Sequence, residues 1–349
     1  MPDLVVAGAG MAGLVAAAHA RQRGAEVLVL EKGDRAGGSM LLSSGFVWRY
    51  RDFDVFRSEC PGGDPDLQRV LHERLDDALD WLESLGAPVV ERDTGNPLTC
   101  GRRFDVRALT EALAGEMRLN EPLMALPDGV PVVLATGGFQ GDHELVRHHV
   151  TAQADHLLLR ANRWSSGDGL RLGLEVGAGT SAGMDEFYGR NMPGPPARVD
   201  ESSFVRLAQL YARHATVENE RGERFEPHSW SEIDVVQWTA RQPRARAVYL
   251  VPSDALGQRV RERTVGEMID AAEGAGAPVE RRDGQVRVEV VASITTTLGG
   301  LAIDTSARAA DGVFAAGTDA GGISTGGYSS GLAAALVFGR IAAESALGR

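Results

Sequence analysis

The 349-residue chain predicts an α/β fold, and three observations carry that prediction. An apolar run of strand length, residues 4–7, enters the pattern Gly8-x-Gly10-x-x-Gly13; an Ala-rich helical pattern follows to Arg23; a second apolar run over 25–30 ends on Glu31. Strand, turn, helix and strand are complete within about 30 residues, the length of one βαβ unit.

Each residue type in that unit has a physical task. Gly8 permits a tight turn, Gly10 lets backbone approach a pyrophosphate, and Gly13 lets helix and strand pack closely. Met11 and Ala12 open the helix, whose unpaired N–H groups face the phosphates. Glu31 stands where an acid accepts hydrogen bonds from a ribose; an acid there disfavours a 2′-phosphate and points to FAD or NAD rather than NADP.

A chain this long exceeds what one core usually serves, so two domains are expected. Hydrophobic residues at 43% and charged residues at 24% describe a soluble globular protein. A net charge of −12 opposes nucleic acid and anionic membrane as partners, since both need a basic surface. The first strand begins close to Met1, leaving no room for a signal peptide, and no apolar run nears the roughly 18 residues that cross a bilayer. A cytoplasmic protein is expected. Cys60 and Cys100 lack a Cys-x-x-Cys spacing and are expected as free thiols.

Beyond Glu31, Lys32 leads into Gly37-Gly38-Ser39 and Ser43-Ser44-Gly45, where small residues let backbone pass close to a flat ligand. Leu67, Val70, Leu71, Leu75, Leu79 and Leu82 predict a helix over 66–85, ended by Gly86 and Pro88. A shorter helix is expected over 106–117. Residues 131–134 form a buried strand leading into Ala135-Thr136-Gly137-Gly138-Phe139. His143, His148 and His149 follow on a polar helix; no acid or Cys completes a ligand pattern, so no metal site is expected. Ser166-Gly167-Asp168-Gly169 starts a helix that runs to Val176.

From 184 to 290 the composition turns rich in Pro and Arg, and this stretch is the expected second domain, with 1–183 and 291–349 forming the first. Strand-like runs at 301–303 and 313–316 precede Gly317-Thr318-Asp319 and Tyr328-Ser329-Ser330-Gly331. An apolar helix from Leu332 to about residue 345 closes the chain. Trp48, Trp81, Trp164, Trp230 and Trp238 are read as packing.

In this order, the segments resemble those of FAD-binding flavoproteins of the fumarate reductase, succinate dehydrogenase and 3-ketosteroid dehydrogenase superfamily. The carriers are the N-terminal βαβ unit, Gly37-Gly38-Ser39, Ala135 to Phe139, Gly167-Asp168-Gly169, Asn219-Glu220-Arg221-Gly222-Glu223-Arg224-Phe225, Thr297-Leu298-Gly299-Gly300, and the tail from Ala316 to Arg340. The resemblance implies a Rossmann-like (GR2-type) FAD-binding domain, discontinuous in sequence, with an inserted α+β cap domain. It further implies that the cofactor is lined by the N-terminal glycines, Glu31, Lys32, Gly37 to Ser39, Ser43 to Gly45, Ala135 to Gly137, Asp168, Gly317, Asp319 and Ser329 to Leu332. No His matches the family's covalent attachment point, because Gly37-Gly38-Ser39-Met40 stands there, so non-covalent FAD is expected.

Departures from the family's pattern bear on the substrate. Where fumarate reductases carry a His, a carboxylate-clamping Arg and a proton-donating Arg, this chain has Thr296, Ser329 and the region of Ser231-Glu232. The match is therefore nearer the ketosteroid dehydrogenase branch. By that resemblance Tyr328, with the N–H of Gly331 or Leu332, holds a carbonyl; Tyr188 exchanges a proton, and Arg190 binds an oxygenated substrate. The Tyr-Pro-Gly pattern of the steroid enzymes is missing, and 118–131 is shorter than in relatives. The expected protein is an FAD-dependent oxidoreductase acting on a C–C bond next to a carbonyl of a small ketone or enone. With one dinucleotide fingerprint taken by FAD, an external electron acceptor or donor is expected. The alternatives are a flavin oxidase or hydroxylase using O2, and a degenerate FAD-binding partner protein.

Overall fold

The computed structural model describes residues 1–227, 232–282 and 284–348. Trp230 and Ser231, weighed above, lie outside the described residues. The chain divides into two compact units, 1–142 with 162–186 and 296–349 in the first, and 143–161 with 187–295 in the second. This differs from the expected division chiefly at 143–161. Pairing that no periodicity can reveal draws the segment in: Leu158–Leu159 runs parallel to Ser293 and Ile294, and Thr151 Oγ1 donates to the carbonyl of Ala240 at 2.9 Å.

The first unit is built on a six-stranded sheet in the order Arg308–Ala310, Val313–Ala315, Val132–Leu134, Leu4–Ala7, Val27–Glu31, Arg118–Leu119. Every pair is parallel except the first. Leu4–Ala7 is buried along its whole length, as a central strand of a sheet covered on both faces must be. The helix Met11–Gln22 packs against the last helix, Gly331–Ala346; both present rows of alanine, which bring the two backbones close. The N- and C-terminal segments thus share one core.

Three sequence expectations shift. The helix expected over 66–85 is Pro65–Ser84, started by Asp64, whose side chain accepts from the N–H of Asp66 and Leu67. The helix expected over 106–117 stops at Leu113, because Ala114 turns extended and the chain must reach Arg118–Leu119, which pairs with Leu30 and Glu31. The strand expected at 301–303 reduces to bridges by Leu301 with Thr180 and Ala320.

The second unit has its own sheet, Thr216–Glu218, Arg246–Pro252, Gln285–Thr297, Val279–Arg282, with Leu158–Leu159 and Phe187–Pro193 also pairing to the long strand. Alternate residues Val286, Val288 and Val290 of that strand face a core with Tyr249, Met268 and Ile269. The helices Ile233–Arg241 and Val265–Gly274 belong to the same unit. Among the described residues no helix is long and apolar enough to cross a membrane, and no cluster of His, Cys, Asp and Glu could hold a metal ion. Cys60 and Cys100 are unpaired.

Candidate FAD site and substrate-facing residues

The glycine turn separates into positions packed by protein and one that is open. A Cβ on Gly13 would lie 1.9 Å from the carbonyl oxygen of Gly8, so helix and strand can touch only without a side chain there. Gly8 combines φ of +100° with a Cβ direction blocked by Ala135 O at 2.2 Å. A Cβ on Gly10 would meet nothing within 4 Å. Gly10 caps the helix Met11–Gln22 with no side-chain hydrogen bond and no acid in the first turn, leaving the N–H groups at Met11 and Ala12 for an anion. This is a cradle that a side chain would fill.

Other expected segments converge on it. Gly37 bridges Gly10, and a Cβ on Gly38 would come within 3.1 Å of Gly10 Cα. A Cβ on Gly317 would sit 3.0 Å from that of Ala12, so the C-terminal motif meets the N-terminal one. Ser39 Oγ accepts from the N–H of Asn162 at 3.1 Å.

Glu31 is buried and receives the N–H of Ala9 on Oε2 and of Gly33 on Oε1, both at 2.6 Å. It braces the glycine turn from beneath, a task that its expected ribose contact did not include. Lys32 and Asp168 meet: Lys32 Nζ donates to Asp168 Oδ2 at 2.8 Å and to Ser166 Oγ at 2.7 Å. Ser43 serves its own turn, donating to Met40 O at 2.7 Å and accepting from Gly45 N at 3.1 Å, while Ser44 offers its carbonyl to Arg103.

Asp319 is tied into the protein around it. It is 1% exposed, and its carboxylate accepts from Thr136 N at 2.5 Å, Thr136 Oγ1 at 2.9 Å and Gly138 N at 3.0 Å. Thr136 Oγ1 in turn accepts from Gly169 N at 2.9 Å. Asp319 therefore joins three glycine-rich segments to one another, and its side chain is directed at protein. Burial pushes its carboxyl up while these donors hold it down.

Tyr328 lies half-buried just before the last helix, its ring 5.7 Å from that of Trp48 in a T-shaped pair and its carbonyl accepting from Tyr50 Oη at 2.8 Å. The backbone around it is held from both sides. Ser329 Oγ pairs with Ser324 Oγ at 2.5 Å, and Ser330 Oγ caps the last helix through Ala333 N at 3.3 Å. Gly331 is exposed at that helix start, with no atom within 4 Å of where a Cβ would be, and Leu332 is half-buried. Beneath, the N–H of Tyr328 reaches the Cys60 thiol, which burial pushes up to about 12.

In the second unit, Tyr188 and Arg190 share one face of the strand Phe187–Pro193, being two residues apart. The Arg190 guanidinium stands 5.0 Å over the Tyr188 ring, a cation–π contact, and Arg190 is buried. The same unit buries a group the sequence did not single out for chemistry. Glu232 precedes the helix Ile233–Arg241, is 8% exposed, and carries its carboxyl up from the usual range through burial, against the pull of Arg190 and Arg213. Burial of an acid is a tertiary property; nothing in local periodicity marks it.

A family model described as FAD binding domain matches residues 3–120 and 128–332. The vinyl phenol reductase of Lactiplantibacillus plantarum is 25% identical over 64% of this chain, and the chain spans 56% of that relative. The probable fumarate reductase Ifc3 of Shewanella frigidimarina is 24% identical over 99% of this chain and 74% of its own length. Among solved structures, a 3-ketosteroid-Δ4-(5α)-dehydrogenase from Rhodococcus jostii RHA1, in complex with 4-androstene-3,17-dione, superposes with a TM-score of 0.71 at 20% identity, covering 100% of this chain and 97% of that one. That likeness speaks for the fold. The Gly10 cradle, the unpaired helix N-terminus behind it and the glycine segments gathered around it fit a dinucleotide cofactor.

Proposed function

The chain belongs to the FAD binding domain family, the flavoproteins of its fumarate reductase relatives, and from that premise we propose an oxidoreductase that adds or removes a hydride and a proton across a C–C bond beside a carbonyl. Bound FAD supplies the two-electron exchange; the chain's residues supply position, charge and the proton. The observation that carries this reading is Tyr328, held by Trp48 and Tyr50 directly ahead of the last helix start. A phenol there, with the N–H of Gly331 or Leu332, is suited to hold a carbonyl oxygen and acidify the neighbouring C–H. Tyr188 is assigned the proton, and Arg190, stacked on its ring, an oxygen of the substrate.

Thr296 and Ser329 stand where a dicarboxylate would need cationic partners, and Thr296 Oγ1 is paired with Thr318 Oγ1 at 2.9 Å. This supports a ketone or enone over fumarate. One dinucleotide fingerprint supports an external electron donor or acceptor.

Anaerobic mixing of the FAD-loaded protein with a panel of cyclic ketones and enones, followed by flavin absorbance, tests the reading. A spectral change with some members is expected. Silence across the panel, with peroxide released once air is admitted to the reduced protein, would favour an oxidase.

A further inference from the structure

Tyr328, the residue given the substrate carbonyl, follows a pliable stretch, with Gly321, Gly322, Gly326 and Gly327 just ahead of it. Such a stretch does not keep a phenol in one place by its own stiffness. Support has to come from elsewhere in the first unit.

Residues 50–68 of that unit provide it. Asp64 N donates to Gly322 O at 2.8 Å, and Gly62 N donates to Thr325 O at 3.0 Å. Gln68 is fully buried and donates through Nε2 to Ile323 O at 2.8 Å and to Cys60 O at 2.9 Å, so one side chain joins the two loops. A Cβ on Gly327 would overlap the carbonyl of Glu59, so backbone meets backbone there. The glycine stretch takes its shape from these partners.

Two further contacts act on Tyr328 itself. Its N–H reaches the Cys60 sulfur, and its carbonyl accepts from Tyr50 Oη at 2.8 Å. These groups belong to the two planar peptides on either side of one Cα, so holding both restrains φ and ψ and sets the direction of the Cα–Cβ bond. Only the side-chain torsions remain, and the T-shaped contact with Trp48 at 5.7 Å restricts them. Tyr50 is itself well held, being 1% exposed, stacked on Phe56 at 5.3 Å and edge-on to Trp48 at 5.5 Å. A phenylalanine would serve that packing; the hydroxyl is what reaches Tyr328.

We propose that Tyr50 is a positioning residue, whose hydroxyl fixes the backbone of Tyr328 so that the phenol there meets the substrate carbonyl. The inference rests on the carbonyl role given to Tyr328 above and names the group that keeps that role in place. No bond is made or broken at Tyr50.

A double-mutant cycle on the FAD-loaded protein tests it. Wild type, Tyr50→Phe, Tyr328→Phe and the double variant are reduced without oxygen, mixed with cyclohex-2-enone, and followed by reoxidation of the flavin. Tyr50→Phe should keep its FAD affinity and lose about tenfold in limiting rate, because a displaced phenol forfeits contact in the transition state. In the Tyr328→Phe background the same change should alter the rate by less than about twofold, since the group it positions is already gone.

A wild-type rate in Tyr50→Phe would overturn the proposal. So would equal slowing in both backgrounds, which would mean a generally loosened fold and would leave the carbonyl role of Tyr328 standing. If Tyr50→Phe does not hold FAD, Cys60→Ala, which releases the N–H side of the same residue, takes its place in the cycle with the same expectation. A wild-type rate in Tyr328→Phe, or a wild type inert to every enone, would remove the carbonyl role and the positioning with it.

Discussion

Asp319 accepts hydrogen bonds from both the backbone N–H and the hydroxyl of Thr136, 183 residues away in sequence, at 2.5 Å and 2.9 Å. The contact ties the turn after the C-terminal parallel strand to the turn after Val132–Leu134, and Gly169 N joins through Thr136 Oγ1. A single carboxylate thereby fixes the relative places of three glycine-rich segments.

Replacing Asp319 with Asn should therefore harm more than one motif. The amide NH2 would face an N–H it cannot accept from, leaving a buried donor unpaired at a cost of about 1–3 kcal/mol. Urea unfolding should register the loss, and FAD affinity should fall with it. Stability within about 0.5 kcal/mol of wild type would show that the clasp is not structural.

Gly10 and Gly13 should separate folding from cofactor binding. Gly10→Ala places its methyl in open space at φ −76°, an ordinary conformation, so the apoprotein should keep its melting temperature while FAD binding weakens by about tenfold or more. Gly13→Ala forces a methyl to 1.9 Å from a carbonyl oxygen and should destabilise the apoprotein itself by about 2 kcal/mol or more. Thermal melts and fluorescence titration with FAD check both.

Tyr328→Phe should keep the fold and the flavin, since the ring's contact with Trp48 and the backbone contact with Tyr50 do not involve the lost hydroxyl. Turnover of an accepted enone should drop about 10²-fold or more if the phenol acts on the carbonyl. Unchanged turnover would transfer that task to another group.

The Cys60 thiol is buried and pushed up to about 12, so its reactive thiolate is strongly disfavoured at pH 8. A thiol reagent applied to the native protein should label Cys100 and spare Cys60 until the protein is unfolded. Peptide mass analysis distinguishes the two, and early labelling of Cys60 would place the loop carrying Tyr328 in frequent local opening.

What could be read from the chain followed from local rules. The first βαβ unit and the last helix were legible because apolar periodicity and glycine placement are local properties, and they lie where expected, at Leu4–Ala7, Met11–Gln22, Val27–Glu31 and Gly331–Ala346. The role of Asp319 was not, because its partners are distant in sequence. The placement of 143–161 depends on a two-residue strand pairing with Ser293 and Ile294, too short to leave a period. Burial of Glu232 depends on the packing around it, which no local pattern marks. Sequence placed the cradle, and tertiary contacts assigned work to the acids around it.

The most direct test of the central claim is a single turnover. Protein carrying fully reduced FAD, mixed without oxygen with cyclohex-2-enone, should return to the oxidised flavin spectrum and yield one cyclohexanone per flavin. Flavin that stays reduced against this and every other enone, and reoxidises only when air is admitted, would contradict the account.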